Sequence, residues 1–301
     1  MTLATEGELE QRTKIRPRGR RSHLWAPLRK GNRAASLFLA IFVVGLVGTF
    51  TASLWLGTDP NAQVLEDRLA PPAFDGGTWA HPLGTDELGR DVFARTVYGG
   101  QVSYAVGLIA AVASAIIGIA LGIVAGYRRG WVESLILRIV DVLTAFPFLI
   151  IAITIVALVG ASLRTIIVTL VLFEWVAFTR LAHARTIVIK ETDYFGAAVA
   201  TGRRPFGIAM RHVLPNIAPP LVVIGTSVIA RAIIIESSLS FLGLGVPPPT
   251  ATWGGMLAAG RQYLEIAWWI PIMPGLAIVL VVISINVCGD WLSKRWDPRE
   301  Q

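Results

Sequence analysis

The chain has 301 residues, of which 54% are hydrophobic and 16% are charged, and it carries a formal net charge of +7. Soluble domains average about 25% charged residues. The composition therefore argues against an ordinary soluble domain, and the positive charge does not indicate nucleic-acid binding, because the basic residues lie between long uncharged segments.

Six apolar segments predict the fold, since a bilayer-spanning helix needs about 20 mainly apolar residues. We expect an all-α membrane protein with an N-terminal basic tail at 1–33, a first span at 34–57 and a loop at 58–96. A core at 97–293 holds the other five spans, and 294–301 forms a second tail. The first tail is rich in Arg and is expected to lack fixed structure up to Trp25. The apolar runs are 35–56, 96–127, 142–163, 165–179, 217–242 and 266–289.

The segment "GTDELGRDVFAR" at 84–95, ahead of the second apolar run, combines acids, bases and helix-capping residues. We expect Thr85 or Asp86 to cap an interfacial helix there, because such side chains accept hydrogen bonds from first-turn N–H groups. The membrane helix itself is expected to begin near Val102. A docking surface for another protein is the alternative role of this segment.

Basic residues predict the orientation, because Lys and Arg are retained on the cytoplasmic side of a membrane. One side of the predicted topology holds 21 of the 27 Lys and Arg residues, the other side holds five, and Arg231 lies within a span. Both tails are therefore expected to be cytoplasmic, with the N-terminal one attracted to anionic lipid. The segments on the basic side are 1–34, 128–140, 180–215 and 290–301.

The segment 184–215, between the fourth and fifth spans, has the pattern of two short helices. "DYFGAAVATG" at 193–202 predicts a helix that ends at Gly202, a residue suited to a left-handed cap. Pro205 fits the first turn of a second helix. The small residues Ala197 and Ala198 would allow close approach to another protein. A plain linker between two spans is the alternative interpretation.

The spacing within this segment resembles the EAA loop of ATP-binding cassette (ABC) importer permeases. That pattern is Glu-Ala-Ala, three residues, Gly, nine residues, Ile, one residue and Leu-Pro. Two positions depart from it, with Gly196 where the family has Glu and His212 where it has Ile. The matching positions are Ala197, Ala198, Gly202, Leu214 and Pro215.

Two longer stretches are similar to signatures of the dipeptide, oligopeptide and nickel branch of that family. These are "HPLGTDELGRDVFARTVYGGQVSYAVGL" at 81–108 and "ESSLSFLGLGVPPPTATWGGML" at 236–257. The likeness extends from about residue 28 to about residue 298. It is greatest to the second permease subunit of such importers and implies the type I ABC importer permease fold.

The resemblance also implies partners and a location. These are a second homologous permease subunit, two ABC ATPase subunits, an extracytoplasmic solute-binding protein and the bacterial inner membrane. No Gly is followed directly by Lys, so the chain has no G-x-x-x-x-G-K-[ST] phosphate loop. ATP and Mg²⁺ are therefore expected on the ATPases, and this chain is expected to bind no cofactor or metal and to have no catalytic residue. The resemblance assigns ATPase coupling to the loop residues Tyr194, Gly196, Ala197, Ala198, Gly202, Arg203, Arg204, Arg211, Leu214 and Pro215.

Charged residues within the apolar spans are the remaining candidates for function. Each intramembrane charge costs roughly 2.5–3.5 kcal/mol on insertion scales. Glu174 and Arg231 are expected either to form a structural ion pair, with each other or with another subunit, or to meet a peptide terminus in a transport pathway. The fourth span is short, so its helix is expected to continue past Arg180. Glu236 is expected to have a structural or gating role.

The predicted function is an importer permease for dipeptides or short oligopeptides. The same machine carrying nickel, glutathione or another small solute is the alternative, because the motifs concern coupling rather than substrate. A secondary transporter is disfavoured because the sequence has no inverted repeat. A membrane enzyme is disfavoured because the sequence has no nucleophile or metal-ligand pattern.

Overall fold

A computed structural model describes residues 33–296, so the expected disorder of the N-terminal tail lies outside the described residues. Within this range the chain is helical and has no β-strand. Five helical segments are long and apolar enough to cross a membrane, and a bent pair, α4 and α5, makes a sixth. The helices are α1 Arg33–Phe50, α2 Ala52–Trp55, α3 Val92–Arg128, α4 Trp131–Ala145, α5 Phe148–Val159, α6 Leu163–Lys190, α7 Asp193–Ala200, α8 Pro205–Ile208, α9 Leu214–Phe241, α10 Trp253–Gly260 and α11 Trp269–Trp296.

The expected single helix at 142–163 is wrong, because this region is broken into α4 and α5, which meet at an angle of 85°. Pro147 lies at the break and has no N–H to donate to a helix. Proline also keeps the residue before it out of the helical region, and Phe146 is extended at φ −103° and ψ 142°. The third apolar segment therefore does not form one continuous helix.

The second membrane helix, α3, begins at Val92 rather than near Val102 and is 37 residues long. Its N-cap is Asp91, whose carboxylate accepts a hydrogen bond from the Ala94 N–H at 2.8 Å. The expectation that Thr85 or Asp86 caps this helix is therefore wrong. Asp91 directly precedes the helix, and Ala94 lies three residues after it, at the position whose N–H an N-cap side chain accepts.

The turn before α3 is closed by Asp86. Its Oδ1 accepts from the backbone N–H of Leu88 at 2.9 Å and of Arg90 at 3.0 Å, and its Oδ2 accepts from Arg90 Nε at 2.6 Å. Asp86 and Arg95 are buried. The charged side chains at this turn are therefore used mainly in contacts within the protein. Few of their charged groups are available to bind another molecule.

Helices α3 and α6 make the closest contact in the bundle through glycines spaced four residues apart. A Cβ atom on Gly122 would lie 2.6 Å from Ala182 Cβ, and one on Gly126 would lie 2.8 Å from Thr186 Cβ. Thr179 Oγ1 donates a hydrogen bond to the Gly118 carbonyl at 3.1 Å. Small residues permit such close packing between membrane helices, where van der Waals contact replaces the hydrophobic effect as the driving force.

The remaining helices pack around this pair in alternating directions. We call the end of the bundle that carries residues 57–91 the loop end, and the opposite end the α7 end. Helix α3 runs from the loop end to the α7 end, where the ring of Tyr127 meets that of Phe195 edge-on at 6.1 Å between centroids. Helices α6 and α11 run in the same direction as α3, and α1 and α9 run in the opposite direction. Residues 33 and 296 therefore both lie at the α7 end.

The α3–α6 contact predicts a difference between two glycine substitutions. We expect Gly122→Ala to destabilise the protein by about 1–3 kcal/mol, because the added methyl group overlaps Ala182 and the Thr179 carbonyl. Gly225→Ala is the control, since a Cβ at Gly225 of α9 meets nothing within 4 Å. Thermal unfolding of the detergent-purified protein measures both effects. Equal unfolding temperatures for the two variants would contradict the role of Gly122 in helix packing.

Candidate functional site

Helix α7 is fastened to the bundle by its flanking residues. Thr192 is the N-cap, and its hydroxyl accepts a hydrogen bond from the Phe195 N–H at 3.4 Å. Just before it, Lys190 donates to the Tyr127 carbonyl at the end of α3 at 2.7 Å. A lysine that binds the last carbonyls of a helix satisfies acceptors that the helix leaves unpaired. The start of α7 is therefore connected directly to the end of α3.

The two faces of α7 differ in exposure. Phe195 and Ala198 are both buried, and Phe195 belongs to a cluster that includes Ile208 and Val213. The expectation that Ala198 belongs to the exposed small-residue surface is therefore wrong, since its methyl group faces the protein. The exposed face, which we call the α7 face, consists of Tyr194, Gly196, Ala197, Val199 and Ala200.

The connection after α7 turns at Gly202, which has φ +69°, as expected for a left-handed cap. Pro205 then occupies the first turn of α8, as predicted. The chain is not interrupted at Pro215, because α8 continues through a π-helical turn, Ala209–Val213, into α9. The second predicted helix of this segment is therefore the start of the long helix that contains α9.

The π-helical turn carries a contact back to α7. His212 Nδ1 and Tyr194 Oη are 2.7 Å apart and their rings lie 5.1 Å apart between centroids. This histidine is one of the two departures from the EAA pattern. Isolated π-helical turns are rare and often mark functional sites. The structure thus links α7 to α9 through side chains that lie 18 residues apart.

The basic residues of this segment point away from the protein. Arg203, Arg204 and Arg211 are exposed, and none of them forms an ion pair within residues 33–296. Of the other two expected coupling residues, Leu214 is partly buried and Pro215 is exposed. The α7 end therefore presents a short apolar face beside arginines that have no ion pair in the described part of the chain.

Glu174 and Arg231 form a two-point ion pair between α6 and α9. Arg231 Nε and Nη2 donate to the two Glu174 carboxylate oxygens at 2.9 Å and 2.8 Å. Glu174 and Arg231 lie at the same depth along the bundle because α6 continues past Arg180 to Lys190, as the sequence predicted. Such a fork arrangement is among the strong hydrogen-bonding geometries for arginine and carboxylate. Whether the pair has a structural or a transport role stays a prediction.

The ion pair lies on a groove that the break between α4 and α5 opens. The groove has a volume of about 370 Å³ and is bounded by α4, α5, α6 and α9. The side chain of Glu174 is 8% exposed, whereas that of Arg231 is 49% exposed. The carboxylate is thus set into the wall of the groove, and about half of the Arg231 side chain is exposed beside it.

Glu236 forms a separate buried cluster nearer the loop end. Its Oε1 accepts from Ser240 at 2.8 Å, and its Oε2 accepts from Ser103 of α3 at 3.1 Å and from Ser237 at 3.3 Å. The side chain is fully buried. These contacts tie α9 to α3 and support a structural role, one of the two roles that the sequence suggested.

Three features of the site were not predicted from the sequence. The break at Pro147 and the spacing of Gly118, Gly122 and Gly126 were both visible as sequence patterns. The contact between Tyr194 and His212 had no sequence signal, because it depends on how α7 folds back against the π-helical turn.

Sequence comparison identifies relatives over most of the chain. A profile of the family described as "binding-protein-dependent transport system inner membrane component" matches residues 118–301. A putative peptide transport system permease protein of Brucella abortus is 40% identical over 268 residues, which are 89% of this chain and 88% of that protein. The di/tripeptide transport system permease protein DppC of Pseudomonas aeruginosa is 40% identical over 242 residues, 80% of each chain. The glutathione transport system permease protein GsiD of Pectobacterium atrosepticum is 38% identical over 266 residues, 88% of this chain and 86% of that protein.

Structural comparison agrees with the sequence relatives. A crystal structure described as an inward-facing conformation of the MetNI methionine ABC transporter superposes with a TM-score of 0.56. The match covers 67% of this chain and 96% of that chain, at 20% sequence identity. At this identity the likeness shows the fold alone. The predicted all-α fold of an importer permease is thereby confirmed.

The ion pair predicts coupled effects of mutation. We expect Glu174→Gln and Arg231→Gln each to destabilise the protein, because each leaves the other charge unpaired at the groove. The loss should be below the roughly 3–5 kcal/mol of a fully buried pair, since Arg231 is 49% exposed. The double variant should lose less than the sum of the two single variants. Denaturant unfolding of the purified protein measures this difference.

The exposed pair Arg180–Asp141 is the matched control, with an N···O distance of 3.2 Å and side chains 53% and 70% exposed. The corresponding cycle with Arg180→Gln and Asp141→Asn should show little coupling, since exposed ion pairs contribute about 0–1 kcal/mol. Additive losses in the Glu174–Arg231 cycle would contradict an energetic role for that pair.

Proposed function

Because the chain belongs to the family of binding-protein-dependent transport system inner membrane components, we propose that it is a permease subunit of an ATP-driven importer of dipeptides or short oligopeptides. The observation that carries this proposal is the 40% identity, over 89% of the chain, to a peptide transport permease. The chain is a multi-pass membrane protein. Its spans would form part of the path that the substrate follows through the membrane.

Peptides are favoured as substrate because the names of the similar permeases point to one chemical class. They name peptides, di- and tripeptides, and glutathione, which is itself a tripeptide derivative. Glutathione import by the same machine is therefore the second candidate. None of these three names supports nickel, and membership of a binding-protein-dependent family argues against a secondary transporter.

The proposal includes partners that the family description implies. The binding protein that this description names would deliver the substrate. From the resemblance to ABC importers, separate ATPase subunits would bind ATP and Mg²⁺ and hydrolyse the nucleotide. A second homologous permease completes the path, and two ATPases drive the pair. On this proposal the present chain has no catalytic residue and moves only in response to its partners.

The α7 face is the proposed contact with an ATPase subunit. It offers small and apolar groups, with Gly196 in place of the family's Glu and the exposed side chains of Tyr194 and Val199 at its edge. A displacement of α7 would reach α9 through Tyr194 and His212, and it would reach α3 through Lys190. Rigid helices joined in this way transmit motion from one end of a bundle to the other.

The proposed orientation places the α7 end in the cytoplasm and the loop end outside, from the distribution of Lys and Arg. We expect Ala62→Cys and Thr250→Cys, in a Cys288→Ala background, to react with an impermeant thiol reagent from outside intact cells. Ala200→Cys should react only in inside-out vesicles from cells that lack the ATPases. All three positions are exposed in the isolated chain. Reaction of Ala200→Cys from outside would contradict the orientation and the coupling role together.

The α7 face predicts opposite consequences of the same substitution at two neighbouring positions. Ala197→Glu should leave the protein folded, because Ala197 is exposed, but it should abolish ATP-driven peptide uptake by placing an unpaired charge in the ATPase contact. Ala198→Glu should instead lower the amount of folded protein, because Ala198 is 6% exposed and faces the core. Membrane abundance, thermal unfolding, co-purification of the ATPases and uptake by the reconstituted complex separate the two outcomes. Normal uptake by an assembled complex that contains Ala197→Glu would contradict the proposed contact.

A further inference from the structure

The groove between the broken span and helices α6 and α9 has the features of a binding site for one end of a small amphipathic molecule. Its volume of about 370 Å³ lies within the range of small-molecule sites, roughly 300–1,000 Å³. Its wall contains three aromatic side chains, Phe146, Phe148 and Phe173. Two of these rings, Phe148 and Phe173, meet edge-on at 5.0 Å between centroids. The groove is therefore mainly apolar, with its charge confined to a few groups.

Arg231 is the charged group with unused binding capacity. Its Nε and Nη2 atoms are occupied by Glu174, but its Nη1 atom makes no hydrogen bond within residues 33–296. A guanidinium group has five N–H donors, and the pair with Glu174 uses one edge of the fork. Arg231 lines the groove and 49% of its side chain is exposed, so the other edge is accessible to a ligand. Intramembrane charges that face a cavity are in general associated with substrate or ion pathways.

Arg180 also lines the groove, but its charge is offset by its ion pair with Asp141 at 3.2 Å. A second group that is attractive to an anion is the start of α5. The break that opens the groove exposes the start of α5, where Pro147 provides no side-chain cap to the first N–H groups. Unpaired N–H groups give the start of a helix a partial positive charge. Phe148, the first residue of α5, lies in the groove wall.

We propose that this groove holds the terminal carboxylate of the transported peptide, with Arg231 as the group that binds it and Glu174 as the residue that orients the guanidinium. The aromatic wall would contact the apolar part of the same peptide. This inference rests on the proposed function as a peptide permease. A bare apolar helix from another subunit fits the groove less well, because it would bury the free edge of Arg231 without a hydrogen-bond acceptor.

The experiment uses a thiol reporter within the groove of the assembled complex. Thr144 is exposed, lines the groove and is close in size to cysteine, so Thr144→Cys in a Cys288→Ala background provides the reporter. The rate of modification by a small thiol reagent is measured in lipid nanodiscs without the binding protein. The probes are alanyl-phenylalanine and its C-terminal amide, which differ only in the carboxylate. Ala62→Cys, in the loop 57–91, is the control thiol.

We expect the free dipeptide to slow modification of Thr144→Cys and the amide to do so only at a concentration about tenfold higher or more, the effect of losing a charge-assisted hydrogen bond. The Ala62→Cys rate should change with neither probe. In a Glu174→Gln/Arg231→Gln background, which leaves no single charge unpaired, the difference between the two probes should disappear. Arg231→Lys should retain preference for the free dipeptide, because it keeps a positive charge.

Three outcomes would overturn the proposal. Equal protection by the dipeptide and its amide would remove the carboxylate from the interaction. No protection by either probe, in a preparation that imports alanyl-phenylalanine, would place the substrate elsewhere and leave the permease function intact. A Thr144→Cys thiol that stays unreactive with and without ATP would show that a partner subunit covers the groove. A different result would count against the proposed function instead. In that case the dipeptide would protect the Thr144→Cys thiol, but the wild-type complex would take up no peptide.

Discussion

The close contact between α3 and α6 is the interaction on which the other parts of this protein depend. Gly118, Gly122 and Gly126 allow the two backbones to approach, and Thr179 adds a hydrogen bond to the Gly118 carbonyl at 3.1 Å. In a bilayer, burial of apolar surface gives little preference for one helix pairing over another, so shape and close van der Waals contact decide it. The pairing sets both the depth of Glu174 along α6 and the position of Lys190 beside the end of α3.

One helix, α6, therefore connects the two regions to which we assign function. Its middle holds Glu174 against Arg231 of α9, and its end leads into α7. Helix α9 connects the same two regions from the other side, because it begins beside Tyr194 and His212 and carries Arg231 near its centre. A movement of α7 relative to the bundle would accordingly act on both partners of the ion pair. The groove beside that pair is formed in part by α4 and α5, which meet at an angle of 85°.

Sequence patterns predicted the helical elements well wherever local chemistry decides the conformation. The left-handed turn at Gly202 and the helix start at Pro205 were predicted from residue type alone, because both depend on backbone geometry within a few residues. The errors arose where several local signals compete. Asp91, rather than Thr85 or Asp86, caps α3, and only the folded turn shows that Asp86 is already occupied by Arg90. Pro147 likewise competes with the long apolar run around it, and the break at this proline decides the conformation.

By itself, then, the sequence determined that this chain is a helical membrane protein, which side carries most of its basic residues and which family it resembles, since hydropathy, charge and motif spacing are properties of the chain in order. Only the tertiary structure decided which faces of these helices are available. Ala197 and Ala198 are adjacent and identical in type, yet one is exposed and the other is buried, because α7 packs Phe195 and Ala198 on the core. The pairing of Glu174 with Arg231 likewise required two antiparallel helices to bring residues 57 positions apart to one depth. Contacts between distant residues follow from helix packing, whose geometry no local pattern in the chain specifies.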